Sequence, residues 1–416
     1  MSALTSTDVL RPQAKGIKTL LIAQVMAAAP LGFSLLRRFA PLPKFGKMYI
    51  ATLHDDVREV FATDAVFAAP YKDKLDVITG GQPFFLGLQD GQGHGIGLDA
   101  VRRAVHREDL PDLARKVSAE AMAVVATAGG RLEVVNDLVR HVTFKVLGDY
   151  LGVPPPPVGD LRVWATRLFE FQFADPGGDK ALRKEVDEIA PALRSHIQGV
   201  MDARRKAGLE AEPVDVLGRL LVLQAAATSE TWYTDAAIRT AIACLLVGGP
   251  PQPPMVVPQA MEQLLRRPDA LAGAQAAARA DNDDLLRAFV LEAMRFDPLA
   301  AGLPRTAVRT GTIAQGLKRA RTVPPGSTVL VAFASAMMDE RRVPDPKTFN
   351  PNRLQYEYIH FGHGVHECFG RHINHATLHL MLKPLLKRDN LRRAPGPAGR
   401  LSKNGLFAER LVVMFN

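Results

Sequence analysis

A chain of 416 residues, 47% apolar and 23% charged, has the make-up of an ordinary globular protein with a core large enough to enclose a cofactor, which excludes a disordered or low-complexity chain. Its 52 lysines and arginines exceed its 43 acidic residues, but the surplus is spread along the sequence with no basic run interleaved with aromatics, so an acidic protein partner is expected and nucleic acid is not. Cys244 and Cys368 are the only cysteines, which excludes a disulfide framework and fits a reducing, cytoplasmic setting.

The first notable stretch is Thr19 to Leu36, apolar and flanked by Lys15, Lys18, Arg37 and Arg38. Gln24, Pro30 and Gly32 interrupt it, and its length is at the lower limit for crossing a bilayer. A buried or surface-lying helix is expected, so that segment 1–40 touches a membrane at most peripherally. It lies too far inside the chain, without a cleavage pattern, to read as a secretory signal.

Apolar residues then recur at helical spacing in Val135–Leu151, Lys180–Arg205, Asp235–Val247, Asp283–Phe296 and Gly370–Arg388. Strand-like runs are shorter and fewer: Met48–Thr52, Thr328–Phe333 and Leu411–Phe415. With no internal repeat, the pattern predicts a mainly α fold with small β-sheets, built as a single domain over 1–416. Proline clusters at 154–157, 250–258 and 344–351 should each end a helix or form a loop, because proline lacks the amide donor. The second cluster predicts a break after Val247 and a restart near Pro258.

Chemistry concentrates near the end of the chain, in Phe361-Gly362-His363-Gly364-Val365-His366-Glu367-Cys368-Phe369-Gly370, just before a helical pattern. A cysteine there meets backbone amides and the positive end of a helix dipole, which lower a thiol's pKa and suit it to hold a metal as thiolate. Gly362 and Gly364 permit a tight loop against a flat macrocycle, and Gly370 removes a side chain close to the sulfur. Phe361 can shield the sulfur from water. A rival reading is a zinc site, since His372, His375 and His379 share a helix face; the glutamate of an H-E-x-x-H motif and paired cysteines are both missing. Upstream, Glu292 and Arg295 share one helix face, and about sixty residues later comes Phe349-Asn350-Pro351-Asn352-Arg353.

The cysteine run fills every fixed position of F-x-x-G-x-H/R-x-C-x-G and resembles the signature of the cytochrome P450 family. The resemblance implies a helical bundle around a buried haem b (iron protoporphyrin IX) with Cys368 as axial ligand, and Glu292, Arg295 and Arg353 as a structural lock. It also implies propionate contacts from His366 and Arg305 and, more weakly matched, from His94, Arg102 and Arg103. The reaction implied is monooxygenation of a small hydrophobic molecule, with electrons from a ferredoxin and its reductase. Phe169, Phe171 and Phe173, near Trp164, lie where the family places its mobile substrate-covering helices.

One segment departs from that pattern. Oxygen-activating members carry A-G-x-D/E-T-T on the long central helix, whereas Val247 to Pro254 keeps Gly248 and Gly249 but has Pro251 at the acid position and Gln252 at the alcohol position. Gly249 and Gln252 become the candidate catalytic residues, and proton delivery must come from water or another group. Hence the alternative implied: a haem-thiolate hydroperoxide isomerase or dehydratase, or an oxygenase driven by peroxide.

Overall fold

The periodic segments form helices in the computed structural model of the protein, which describes residues 31–227 and 232–416. Each long helix is set by its ends as well as its stripe. In Lys180–Ala207, Asp179 caps the amides of Ala181 and Leu182, and Arg204, Arg205 and Lys206 occupy the last turn, where they oppose the helix dipole. Leu182, Val186, Ala190, Leu193, Ile197 and Met201, spaced by three or four, are its buried face. Asp235–Gly248 starts on Thr234, which accepts from the Ala237 amide, and Asp283–Phe296 starts on Asn282, which accepts from that of Leu285. The periodicity over Val135–Leu151 divides into a π-helical turn, Val134–Arg140, and an α-helix, His141–Leu151.

The chain forms two compact units. One comprises Tyr71–Pro258 and Ala376–Asn416; the other contains the described residues up to Pro70 and Gln259–His375. The first holds most of the long helices and two small antiparallel sheets. The terminal strand Val412–Met414 pairs on one side with Arg131–Glu133 and on the other with Arg392–Arg393. The second holds the helices His54–Ala62 and Asp283–Phe296 and a five-stranded sheet. There Met48–Ala51 runs parallel to Thr328–Val331, which pairs antiparallel with Leu303–Ala307. All three expected strands therefore form, each trimmed by one or two residues.

The expected restart of the interrupted helix is corrected. Asp235–Gly248 ends at the glycines, but helix resumes at Pro253, and Pro258 lies inside Pro253–Leu265. Pro253 and Pro254 occupy the first turn, where a missing amide leaves no bond unmade. Of the apolar stretch Thr19–Leu36 only the last six residues are described, and they are helical. Among the described residues no helix is long and apolar enough to cross a membrane.

Candidate active site

The cysteine loop lies wholly in the second unit, and its path is dictated by its glycines. Gly362 and Gly364 have φ of +73° and +77°, the left-handed region that costs glycine nothing. Gly364 is constrained twice, because a Cβ there would stand 2.7 Å from the Phe61 carbonyl oxygen at the end of helix His54–Ala62. The loop closes on itself when the Cys368 amide donates to the Phe361 carbonyl at 2.8 Å, and the helix Arg371–Leu386 follows at once. A Cβ on Gly370 would sit 3.9 Å from the Cys368 sulfur, so glycine leaves the approach to that atom open.

The expected lowering of the thiol's pKa is corrected. Burial pushes the Cys368 thiol up to about 11; the amides of Gly370 and Arg371 pull it down, and the neighbouring Glu367 carboxylate raises it further. Desolvation wins over the helix terminus. A thiolate at this position therefore depends on the positive charge of a metal ion bound to it.

Beneath the loop the anticipated lock is present in full. Both carboxylate oxygens of Glu292 bind Arg295, at 2.7 and 2.8 Å, and Arg353 Nε reaches Glu292 at 3.1 Å. The Asn350 amide and the Tyr358 hydroxyl donate to the same carboxylate, while Arg353 also pairs with Glu357 at 2.8 Å. The side chains of Glu292 and Arg295 are fully buried, so every charge removed from water has a partner.

Arg305 contrasts with them. It is 3% exposed on the interior strand Leu303–Ala307, its guanidinium lies over the Phe61 ring, and its hydrogen bond goes to the adjacent Pro304 carbonyl. No carboxylate among the described residues pairs with it. A buried cation in that condition calls for an anion from elsewhere. His366 faces Asp64 at 3.1 Å, both side chains almost completely buried. Asp64 escaped the sequence reading, because an acid beyond a helix end carries no local signal. Phe361 packs its ring against His375, 5.1 Å away, and burial pushes the His375 imidazole down to about 4. Among the described residues no three His, Cys, Asp or Glu side chains converge as a metal site.

The remaining candidates are in the first unit. His94 is buried, edge-on to Phe85, whereas Arg102 is solvent-exposed and pairs with Asp99 at 3.6 Å. Arg103 is also exposed. At the interruption, Pro250 and Pro251 have no amides to offer the carbonyls of Leu246 and Val247. The Gln252 amide turns to the Gly249 carbonyl, 3.2 Å, and its side-chain Nε2 donates to the Gly248 carbonyl. Gly249 makes the last helical bond, to the Leu245 carbonyl. Phe169 and Phe173 pack together and are joined by Tyr71, with Phe171 under Lys74.

The family model "Cytochrome P450" matches residues 176–405, more than half of the sequence, including the lock and the cysteine loop. The chain belongs to the cytochrome P450 family. It is similar to the cyclomarin C epoxidase CymV of Salinispora arenicola, 25% identical over 80% of this chain and 81% of that one. It is as similar to the mycinamicin IV hydroxylase/epoxidase of Micromonospora griseorubida, 25% identical over 83% of each. A shorter match, 35% identical over 123 residues, is to a bifunctional dioxygenase–epoxy alcohol synthase of Pyricularia oryzae, and spans 30% of this chain and 11% of that much longer one. Among solved structures, ligand-free cytochrome P450 TbtJ1 superposes with a TM-score of 0.76 at 23% identity, covering 94% of this chain and 98% of its own.

This P450 is thus an oxidoreductase of a haem-iron family, mainly helical with small sheets. Its own residues fit such a cofactor. The second unit supplies a sulfur donor with two amides at it, glycines that clear the approach, and an arginine buried without an anion.

Proposed function

We propose that this P450 binds haem b through a Cys368 thiolate and inserts oxygen into a small hydrophobic molecule, using electrons from a ferredoxin and its reductase in the cytoplasm. The cysteine loop carries the reading. When bound, the haem supplies the activation of an oxidant at its iron, and the chain's residues do the rest. Phe361 keeps water from the sulfur, and the Gly370 and Arg371 amides stabilise its charge. Arg305 offers a cation and His366 a ring N–H to the propionates, with His94 in a lesser role; Arg102, exposed beside Asp99, is the weakest candidate. Residues 1–416 are read as one haem domain. The relatives named as an epoxidase and a hydroxylase/epoxidase support oxygen insertion, and basic residues such as Lys387 and Arg392 offer a surface to an acidic carrier.

A second reading is favoured by the interrupted helix. With Pro251 and Gln252 in place of acid and alcohol, that point offers no acidic side chain or hydroxyl to deliver protons to dioxygen, whereas a peroxide brings its own proton with it. The relative named for an epoxy alcohol synthase supports this, since an epoxy alcohol is an isomer of an unsaturated hydroperoxide.

The carbon monoxide difference spectrum of reduced protein tests the ligand. The haem-thiolate band is expected in the wild type and absent in Cys368→Ala; its persistence in the variant would refute the assignment. Turnover with dioxygen plus reduced ferredoxin, set against turnover with a lipid hydroperoxide, then decides between the two oxidants.

A further inference from the structure

Within the first unit, a small cavity is bounded by the π-helical turn Glu170–Ala174, the helix Lys72–Thr79 and the helix Asp235–Gly248. Its walls are apolar, among them Leu75, Ile78, Phe173 and Val247, with the Cys244 thiol beside them. One polar side chain enters this lining, that of Gln172, which is 5% exposed. Its Nε2 donates to the Tyr71 carbonyl at 3.2 Å, which settles the orientation of the amide: turned over, it would set two oxygens against each other. The carbonyl oxygen Oε1 is thereby directed away from Tyr71. It is buried and accepts no hydrogen bond among the described residues.

The surroundings hold that oxygen in place. A π-turn inserts one residue into a helix and is frequent at functional sites; here it buries both Phe171 and Gln172. Lys74 latches the turn to the neighbouring helix by donating to the carbonyls of Phe171 and Asp175, at 2.7 and 2.6 Å. Cys244, Val247 and Gly248 stand at i, i+3 and i+4, so one helix face forms the opposite wall and ends where the helix breaks. Burial keeps the Cys244 thiol protonated, a weak donor that makes no hydrogen bond to Gln172. The cavity, about 20 Å³, takes one group the size of a water, so what enters beside Gln172 is the polar end of a ligand.

We propose that Gln172 Oε1 is the polar anchor for the substrate, and that the substrate is an apolar molecule bearing a hydroxyl or N–H group donated to that oxygen. The inference deepens the reading of this protein as an oxygenase of small hydrophobic molecules and rests on it for the substrate's apolar body. An acceptor buried without a donor favours ligands that bring one and rejects analogues that do not.

Matched ligands of one skeleton test this on holoprotein: dodecan-1-ol against dodecyl methyl ether, and dodecanamide against its N,N-dimethyl derivative. Dissociation constants are read from the haem absorbance shift and, independently of haem, from ligand-dependent thermal stabilisation. Wild type is expected to favour the donor-bearing member of each pair by about tenfold or more, and Gln172→Leu or Gln172→Met to erase that preference by weakening the donor-bearing members. Equal affinities within the wild-type pairs, no binding of any donor-bearing member, or a preference that survives both variants would overturn the proposal. The wild-type comparison stands even if a variant fails to fold. A donor preference seen in thermal stabilisation without a carbon monoxide signature would support the anchor while refuting the haem-thiolate reading.

Discussion

The lock beneath the cysteine loop and the break in the central helix solve opposite problems. Around Glu292 two charges are fully desolvated and a third, on Arg353, nearly so, and each is answered by side chains and backbone from Arg295, Asn350, Arg353 and Tyr358. Around Gly248 the backbone itself loses donors, and one side chain, Gln252, repairs one carbonyl. The first arrangement is over-determined and tolerates no removal; the second is a local patch whose loss leaves the flanking helices able to stand. Family resemblance follows the same division. The lock and loop keep the pattern, while the break has abandoned the acid and alcohol that the pattern would place there.

The largest effect should come from the lock. Arg295→Ala leaves the Glu292 carboxylate with Arg353 as its one remaining cation and strips donors from the Met337 and Thr348 carbonyls. Breaking a buried pair in this way costs about 3 to 5 kcal/mol, and chemical denaturation with haem content as a second readout should show loss of most folded holoprotein. Stability and haem content within error of wild type would mean the trio is ornamental. Next in size is Gly364→Ala. The new Cβ would meet the Phe61 carbonyl at 2.7 Å from a left-handed backbone, so the loop must lift from its helix, at about 1 to 3 kcal/mol. Gly362→Ala makes the control: its φ is similar, +73°, but its Cβ would meet nothing closer than 3.7 Å, so it should cost less.

These differences explain what was legible in the sequence. The cysteine loop is contiguous, so its glycines, aromatic and sulfur could be read together; the lock is dispersed, but Glu292, Arg295 and Arg353 keep their order and spacing. Two readings failed for lack of a third dimension. The dipole and amides at Cys368 are visible in sequence, but the desolvation that outweighs them is not. Five prolines between 250 and 258 look like equal breakers, yet Pro253 and Pro254 begin a helix. Gln172 lay hidden in Phe169-Glu170-Phe171-Gln172-Phe173, an alternation that reads as core; the π-turn that buries it leaves no mark on hydrophobic periodicity.

The smallest expected effect belongs to Gln252→Ala, and it bears most directly on the comparison. Removing the side chain deprives the Gly248 carbonyl of the donor that replaced the backbone amide, a loss of about 1 kcal/mol. If Gln252 only mends the backbone, the variant should melt at nearly the wild-type temperature and turn over hydroperoxide at an unchanged rate. If its amide also meets the oxidant, peroxide-driven turnover should fall about tenfold or more while stability moves no further, because a lost transition-state contact lowers kcat without unfolding anything. The double variant Pro251→Glu with Gln252→Thr pushes the other way by restoring an acid and an alcohol where relatives have them. It should raise product formed per electron with dioxygen and a ferredoxin while doing nothing for peroxide; no change in that coupling would mean that this helix tells nothing about which oxidant the enzyme uses.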